Sequence, residues 1–571
     1  MKFKFLLTLT LAGAAALSSW AQGYKDGVEY YKADRFADAE ELLNRNLNNA
    51  DTDKAEAYFY LGQIQLARYY SAKRSGSADA NTYKNEALEY YNKGVAANAE
   101  NPFNYVGLGN IELINSDSKA AEDYFKKAEK LGGKDAGVFA AVARAYYDVN
   151  PTVYAKQMNK AIEQGNKLVQ KQALSAKPQW ADNDQDFYMF IGDMKFDAAN
   201  GDSQKVGDAC NDYEQAIRVN PKAAEGYIKY ADKLFTVNRF DEAIAQLNTL
   251  LQNNPGSALG QRELAERLYE RGKVQDAIAQ YSKLVRNPNH FAQDEVRYLA
   301  MLYFVEDFNK GYDEATMMLA QDPSNFNARR LQYLFASRAG RPDALALGEQ
   351  LLKLKNDKNL FAYGDYTSIA GDMLKAGRTQ DALNVLEMGM KDYSDNPAIY
   401  KEAARLYLSK EIANYPGAAD AMEKAIELLG ADATASDYNT LSDYAYYAAT
   451  AEGLDDAQKA NYLLMSENAI EEAADNLSDS YKYLVPKRLG DIARIKNDNK
   501  AANDNYFKAI DLIEANGGIT PNNSYDVSSM YRFIGGNFIQ ENNKAQAREY
   551  LQKYLDLNPN DTAIADILKK L

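Results

Sequence analysis

The chain has 571 residues, more than one hydrophobic core ordinarily serves, so several domains or a repeat array are expected. Its 66 basic and 81 acidic side chains leave a formal charge of −15, which argues against nucleic acid as a partner, because neutralising phosphates needs a basic surface. One cysteine (Cys210) and one histidine (His290) exclude an intrachain disulfide and fall short of the roughly four Cys/His-type ligands a structural zinc site needs. Histidine chemistry has almost nothing to work with, and no metal or cofactor is implied. Cys210 reads as a small buried hydrophobe, and His290, just after Asn287-Pro288-Asn289, as a loop residue.

Residues 1–21 have a basic start (Lys2, Lys4), an apolar run from Phe5 to Leu17, and small residues at Ser19 and Ala21. That is the three-part pattern of a secretory signal peptide cleaved after Ala21. The apolar run is shorter than the roughly 20 residues a membrane span requires, and no later stretch is apolar enough to cross. No cysteine follows the run to carry a lipid anchor. The expectation is an exported protein beginning at Gln22, periplasmic, secreted or outer-membrane associated, with no transmembrane segment in the mature chain.

Residues 22–162 read as a first array of helix pairs. Gly27 is followed by Ala39 twelve positions on, and then by Leu43. Extra residues between Gly62 and Ala87, including "SAKRSGSADAN", read as an exposed loop or a helix extension. In "GLGNIELINSDSKAAEDYFKKAEK", residues 107–130, two amphipathic helices flank a turn, and Gly109 stands twelve before Ala121, with Phe125 and Ala128 beyond. Residues 163–185 carry no such signal and are expected to be an irregular linker. A central array is read over 186–410. There Ala231 leads to Ala243, Leu247 and Leu250, Ala265 to Ala277, Tyr281 and Leu284, and Ala370 to Ala382, Leu386 and Gly389. Residues 411–571 begin with tyrosine-rich, degenerate helices. They become regular again at Gly490, Ala502 and Tyr506, and at Gly535, Ala547 and Leu551. The final "NDTAIADILKKL" reads as a helix that caps the open end.

These intervals resemble the tetratricopeptide repeat. "YLGQIQL", "YVGLGNIEL" and "FYMFIGDMKF" match its first helix, and "AAEDYFKKAEK", "ACNDYEQAIRVNP" and "RFDEAIAQLNTLLQNNP" its second. About fourteen copies can be placed. The resemblance implies an all-α fold, a right-handed α-α superhelix of about fourteen helix pairs. Glycine in a helix costs about 1 kcal/mol relative to alanine, so Gly109 needs a reason. The expectation is that Gly109 and Ala121 face each other where the paired backbones come closest. Prolines at 221, 255 and 559 follow second helices and stop them.

Other patterns carry less. Asp182, Asp184, Asp186 and Asp193 imitate the spacing of a calcium loop, but Phe187 stands where such a loop needs glycine, and helix-start acids explain them. No glycine-rich phosphate loop is present, nothing marks out a glycosidase carboxylate pair, and no enzyme activity is expected. Asp561-Thr562-Ala563 resembles a short O-glycosylation motif and reads as a helix cap.

The resemblance also implies a groove lined by first helices, and with it a non-catalytic protein-protein interaction scaffold or adaptor of the bacterial envelope. The subclass that grips a peptide carboxylate is not matched, since Gly536 and Asp491 stand where its asparagine would be. What recurs is a column of Phe196, Phe235, Tyr269 and Phe304, with Asp193, Asp232 and Glu266 beside it. Asp186, Asp197, Glu225 and Glu270 add to these acids, against one counted base, Arg262. The expected partner is an envelope protein or peptide offering a basic, apolar-spotted segment. The alternative is a glycan-binding or cell-wall accessory protein, suggested by 43 tyrosines. Tyr58, Tyr105, Tyr188, Tyr227, Tyr366 and Tyr531 nevertheless fall at the first aromatic position of a repeat and read as packing residues.

Overall fold

The computed structural model describes residues 22–571, so residues 1–21, read as a signal peptide, lie outside the described residues. The described residues contain twenty-nine α-helices, a few short 3-10 turns and no strand. Two compact units are formed, up to Leu331 and from Gln332 onward.

The first unit opens with the pairs α1 (Tyr24–Lys32) and α2 (Phe36–Asn46), α3 (Lys54–Ser75) and α4 (Ala80–Ala97), and α5 (Pro102–Ile114) and α6 (Ser118–Leu131). It continues with α7 (Ala136–Val149) and α8 (Ala155–Ala173), and with α9 (Asp184–Ala199) and α10 (Ser203–Val219). It is completed by α11 (Ala224–Thr236) and α12 (Phe240–Asn253), α13 (Ala258–Glu270) and α14 (Val274–Leu284), and α15 (Ala292–Phe304) and α16 (Phe308–Gln321). The unit boundary falls inside α17 (Phe326–Arg338), which α18 (Ala344–Lys353) follows. The second unit then contains α19 (Tyr363–Lys375) with α20 (Thr379–Asp392), α21 (Pro397–Tyr407) with α22 (Tyr415–Leu429), and α23 (Ala435–Ala449) with α24 (Asp456–Ala473). It ends with α25 (Leu484–Ile495) and α26 (Asn499–Ala515), α27 (Ser524–Gln540) and α28 (Lys544–Leu557), and the single helix α29 (Thr562–Lys570). Fourteen consecutive pairs and one closing helix are thus described, the architecture of a stacked α-α repeat.

Local rules explain the elements. Asp53 accepts hydrogen bonds from the Ala55 and Glu56 amides and starts α3, while Asn101 bonds the Phe103 amide with Pro102 in the first helical position of α5. Within many pairs one turn residue has positive φ, and it recurs every 34 residues at Asn238, Gly272, Glu306 and Gly340. Ala39, Ala121, Ala243, Ala277, Ala382, Ala502 and Ala547, which share one register, have no exposed surface.

The reason for Gly109 differs from the one expected. A Cβ there would lie 2.4 Å from Cε1 of Phe125, and one at Gly490 would lie 2.5 Å from Cε1 of Tyr506. The glycine therefore admits an aromatic ring of the second helix, one turn beyond the buried alanine, rather than a close backbone crossing. Gly109→Leu should lower the stability of the first unit by about 2–3 kcal/mol through overpacking, and hydrogen exchange across residues 103–130 should rise. Unchanged exchange there would show that the ring has room to move.

Two boundaries differ from the sequence reading. Residues 163–173 are not irregular but form the second half of α8, which packs on α7. The division at Leu331 falls within the stretch 186–410 that was read as one central array. The extra residues after Gly62 lengthen α3 to Ser75, where Gly76 ends it in a left-handed conformation.

Candidate functional site

The residues expected to form the groove lie on the first helices of four successive pairs: Asp193 and Phe196 on α9, Asp232 and Phe235 on α11, Glu266 and Tyr269 on α13, and Phe304 at the end of α15. All four aromatic side chains are half-buried. The Lys233 ammonium sits 4.8 Å from the centre of the Phe196 ring, and the Arg267 guanidinium 4.8 Å from that of Phe235. Each cation comes from the following pair, so cation–π contacts link successive pairs.

The acids are not an uncompensated negative field. Asp193 Oδ2 accepts from Arg144 at 2.7 Å and from Lys229 at 3.2 Å, and its Oδ1 accepts from the Tyr213 hydroxyl at 2.8 Å. Asp232 accepts from Arg267 at 2.6 Å and from Arg35 at 3.2 Å, and Glu266 from Arg297. Asp186 pairs with Lys32 at 2.9 Å. Arg262, the one base counted from the sequence, is buried against Asp294 at 2.8 Å. Lys229, Lys233 and Arg267 share helices with the acids and were readable in the sequence. Lys32, Arg35 and Arg144 come from distant segments and carry no local signal.

Those distant bases reveal the main feature of the unit. Helix α1 and the turn after it lie against α9, α11, α13 and the start of α15. The Ala224 amide donates to Glu29 at 3.2 Å, Lys229 donates to Asp34 at 2.7 Å, and Arg35 donates to both Asp232 and Glu263. The hydroxyl of Tyr30, 2% exposed, accepts from Arg262, and its ring meets Phe291 edge-on at 5.6 Å. Gln22 donates to the Asn289 carbonyl. The first pair therefore closes the unit into a ring.

The junction titrates. Burial, and then the neighbouring Glu225 carboxylate, push Glu29 up to about 8, with the Ala224 amide opposing and Asp26 on its own helix adding repulsion. Docked Glu29 thus keeps its proton far above the ordinary value of 4.5 at which a released chain loses it. Docking must weaken as pH rises between those two values and change no further above the upper one. Glu29→Gln keeps the acceptor for the Ala224 amide. It should gain on the order of 2 kcal/mol over the wild type at pH 8, and nothing at pH 4. A difference independent of pH in chemical melts would contradict this.

The remaining sequence candidates are structural. Asp184 bonds the Ala136 and Ala181 amides, and Asp561 caps α29 through the Ile564 amide. Cys210 is buried, and His290 lies in a buried turn with Nε2 3.0 Å from Glu295. Tyr105, Tyr227, Tyr366 and Tyr531 are each no more than 5% exposed and belong to the core. Among the described residues no group of three His, Cys, Asp or Glu side chains could hold a metal, and no helix is long and apolar enough to cross a membrane.

Two cavities stand out. The first unit has an open pocket of about 210 Å³ lined by residues that include Tyr31, Tyr60, Arg144, Asp148, Asp186 and Phe190. In the second unit an open groove of about 540 Å³ lies among α22, α23 and α24, floored by Ile426, Leu441 and Met465 and edged by Asp420, Glu423 and Glu472.

Residues 229–290 match the family model of the tetratricopeptide repeat. Among solved structures the chain is similar to the C-terminal part of a TPR repeat-containing protein from Cytophaga hutchinsonii, with 16% identity and a TM-score of 0.36, over 48% of this chain and 98% of that one. Yeast Tom70 aligns over 100% of both chains with 12% identity and a TM-score of 0.28. YrrB, described as a TPR protein with an unusual peptide-binding site, aligns over 38% of this chain and 93% of its own, with 14% identity and a TM-score of 0.25. No curated protein matches the sequence.

Proposed function

We propose that this chain, whose residues 229–290 match the tetratricopeptide-repeat model, is a non-catalytic protein-binding scaffold exported to a bacterial envelope. One observation carries the reading. The first-helix surface of the first unit already holds a polypeptide helix, its own α1, through charged clips and a buried tyrosine. A surface with that chemistry is suited to other segments of protein. Phe196, Phe235, Tyr269 and Phe304 remain half-exposed beside the docked helix as anchors for a partner. The basic start, apolar run and small residues of 1–21 support export.

The test is capture of a stoichiometric partner by the tagged chain from an envelope fraction, repeated with Phe235→Ala/Tyr269→Ala. Central aromatic anchors commonly contribute about 2 kcal/mol or more each, so the double variant should lose the partner while its melting is little changed. Reduced melting, with partner binding by the folded fraction unaffected, would assign the column to packing and overturn the groove.

A further inference from the structure

The second unit carries a groove of its own, built from elements that the scaffold reading does not use. Its walls are the second helices of two successive pairs, α22 and α24, with the first half of α23 between them. On α22 the residues facing the groove include Asp420, Glu423 and Glu427, and on α24 they include Met465, Ala469 and Glu472. Each set follows the one-sided stripe of a helix over seven positions, so each wall is two turns, or about 10 Å, long. The volume of about 540 Å³ lies within the roughly 300–1,000 Å³ of binding clefts.

The floor is apolar and the rim acidic. Ile426 and Leu441 belong to a hydrophobic cluster, and the half-buried Met465, which packs on it, offers a thioether that adapts to differently shaped side chains. Lys424 is the one base in the lining, and it is held by Glu427 at 2.7 Å. Asp420 accepts only from the neutral Tyr462 hydroxyl, at 2.9 Å, and Glu423 and Glu472 have no ion pair among the described residues. The Glu423 carboxyl is pushed above its ordinary value, first by burial and then by the Asp420 and Glu427 carboxylates. Positive charge is the missing complement. All three elements are helices whose backbone groups bond one another, so the groove offers no ladder to an extended segment. A helix brings its own backbone bonds and needs only side-chain contacts.

We propose that this groove docks two turns of a basic amphipathic helix from another protein, its apolar stripe on Ile426, Leu441 and Met465 and its flanking lysines or arginines at Asp420, Glu423 and Glu472. Apolar side chains at i, i+3 or i+4 and i+7 of such a helix match a floor two turns long. A second copy of this chain, with a formal charge of −15, is the poorer source of basic charge.

Fluorescence anisotropy on the full mature chain tests the proposal with three labelled peptides of equal leucine and lysine content. One places leucine at helical spacing, one alternates leucine with lysine, and one is scrambled. The helical peptide should bind at least tenfold more tightly than the other two, and less tightly as salt rises. Glu423→Lys with Glu472→Lys should weaken its binding at least tenfold while melting is unchanged. The same charge change at Glu452→Lys with Glu514→Lys, exposed acids outside the groove, should alter affinity less than twofold. Phe235→Ala/Tyr269→Ala should also leave it unaltered, which separates this site from the first-unit column. Equal binding of the scrambled peptide would reduce the site to unspecific charge, and tighter binding of the alternating peptide would assign an extended occupant. Either outcome overturns the proposal whether or not a variant folds. Equal loss in the control variants, or dimerisation of the chain that the groove reversals abolish, would overturn it as well.

Discussion

Arg262→Ala should destabilise the first unit by about 3–5 kcal/mol and release its N-terminal helix. The guanidinium is 3% exposed and the carboxylate of Asp294, its partner at 2.8 Å, is fully buried. Arg262 also donates to the Tyr30 hydroxyl and lies 4.4 Å from the centre of the Phe291 ring. Asp294 in turn accepts from the Phe291 amide at 2.7 Å and fixes the start of α15. Removing the base leaves a buried carboxylate unpaired and takes the central contact from α1. Denaturant melts should show the loss, with α1 exposed to protease before the rest of the unit. A change below about 1 kcal/mol would mean that water or another base reaches Asp294.

Asp193→Ala should have an effect of similar size, about 3–5 kcal/mol. This carboxylate lies between Arg144 at 2.7 Å and Lys229 at 3.2 Å, and also accepts from Tyr213 at 2.8 Å. Its loss leaves Arg144 without an ion pair and Lys229 dependent on Asp34 alone. The pH behaviour is opposite in sign to that of Glu29. Burial alone would raise the Asp193 pKa, but Lys229, Arg144 and Lys233 outweigh it and hold the carboxyl well below its ordinary value of 3.8. Its stabilisation is therefore fully present above pH 3.8 and is lost only as pH falls below that toward the folded value. Between pH 5 and pH 8 the Asp193→Ala penalty should be constant, while a rise through that span weakens the wild type at Glu29.

The array was legible because repetition multiplies a weak local signal. Gly109, Ala121 and Phe125 alone mean little, but the same steps at Gly490, Ala502 and Tyr506 fix a register. The role of the glycine was misread because spacing shows which residues face each other along a pair, not which atoms meet. The turn at Glu306, with φ of 61°, was hidden because glutamate is not a residue that favours that conformation. Residues 163–173 were missed because α8 packs with small residues, Ala161 and Gly165, where the repeat pattern was sought in aromatic ones. The closure could not be read at all. Arg35 meets Glu263 across 228 positions and Lys229 meets Asp34 across 195, contacts that no local period announces.

Amide hydrogen exchange on the unmodified chain tests that closure most directly. A terminal helix of an open repeat array frays, because it has a neighbour on one side only. A docked α1 does not. The ring predicts that the amides late in α1, up to Lys32, exchange as slowly as those of α11 at residues 228–236, and that this protection weakens as pH is raised toward 8 once intrinsic rates are corrected. Exchange of α1 at the rate of a frayed terminus, with α11 protected, would contradict the closed ring and the docked groove built on it.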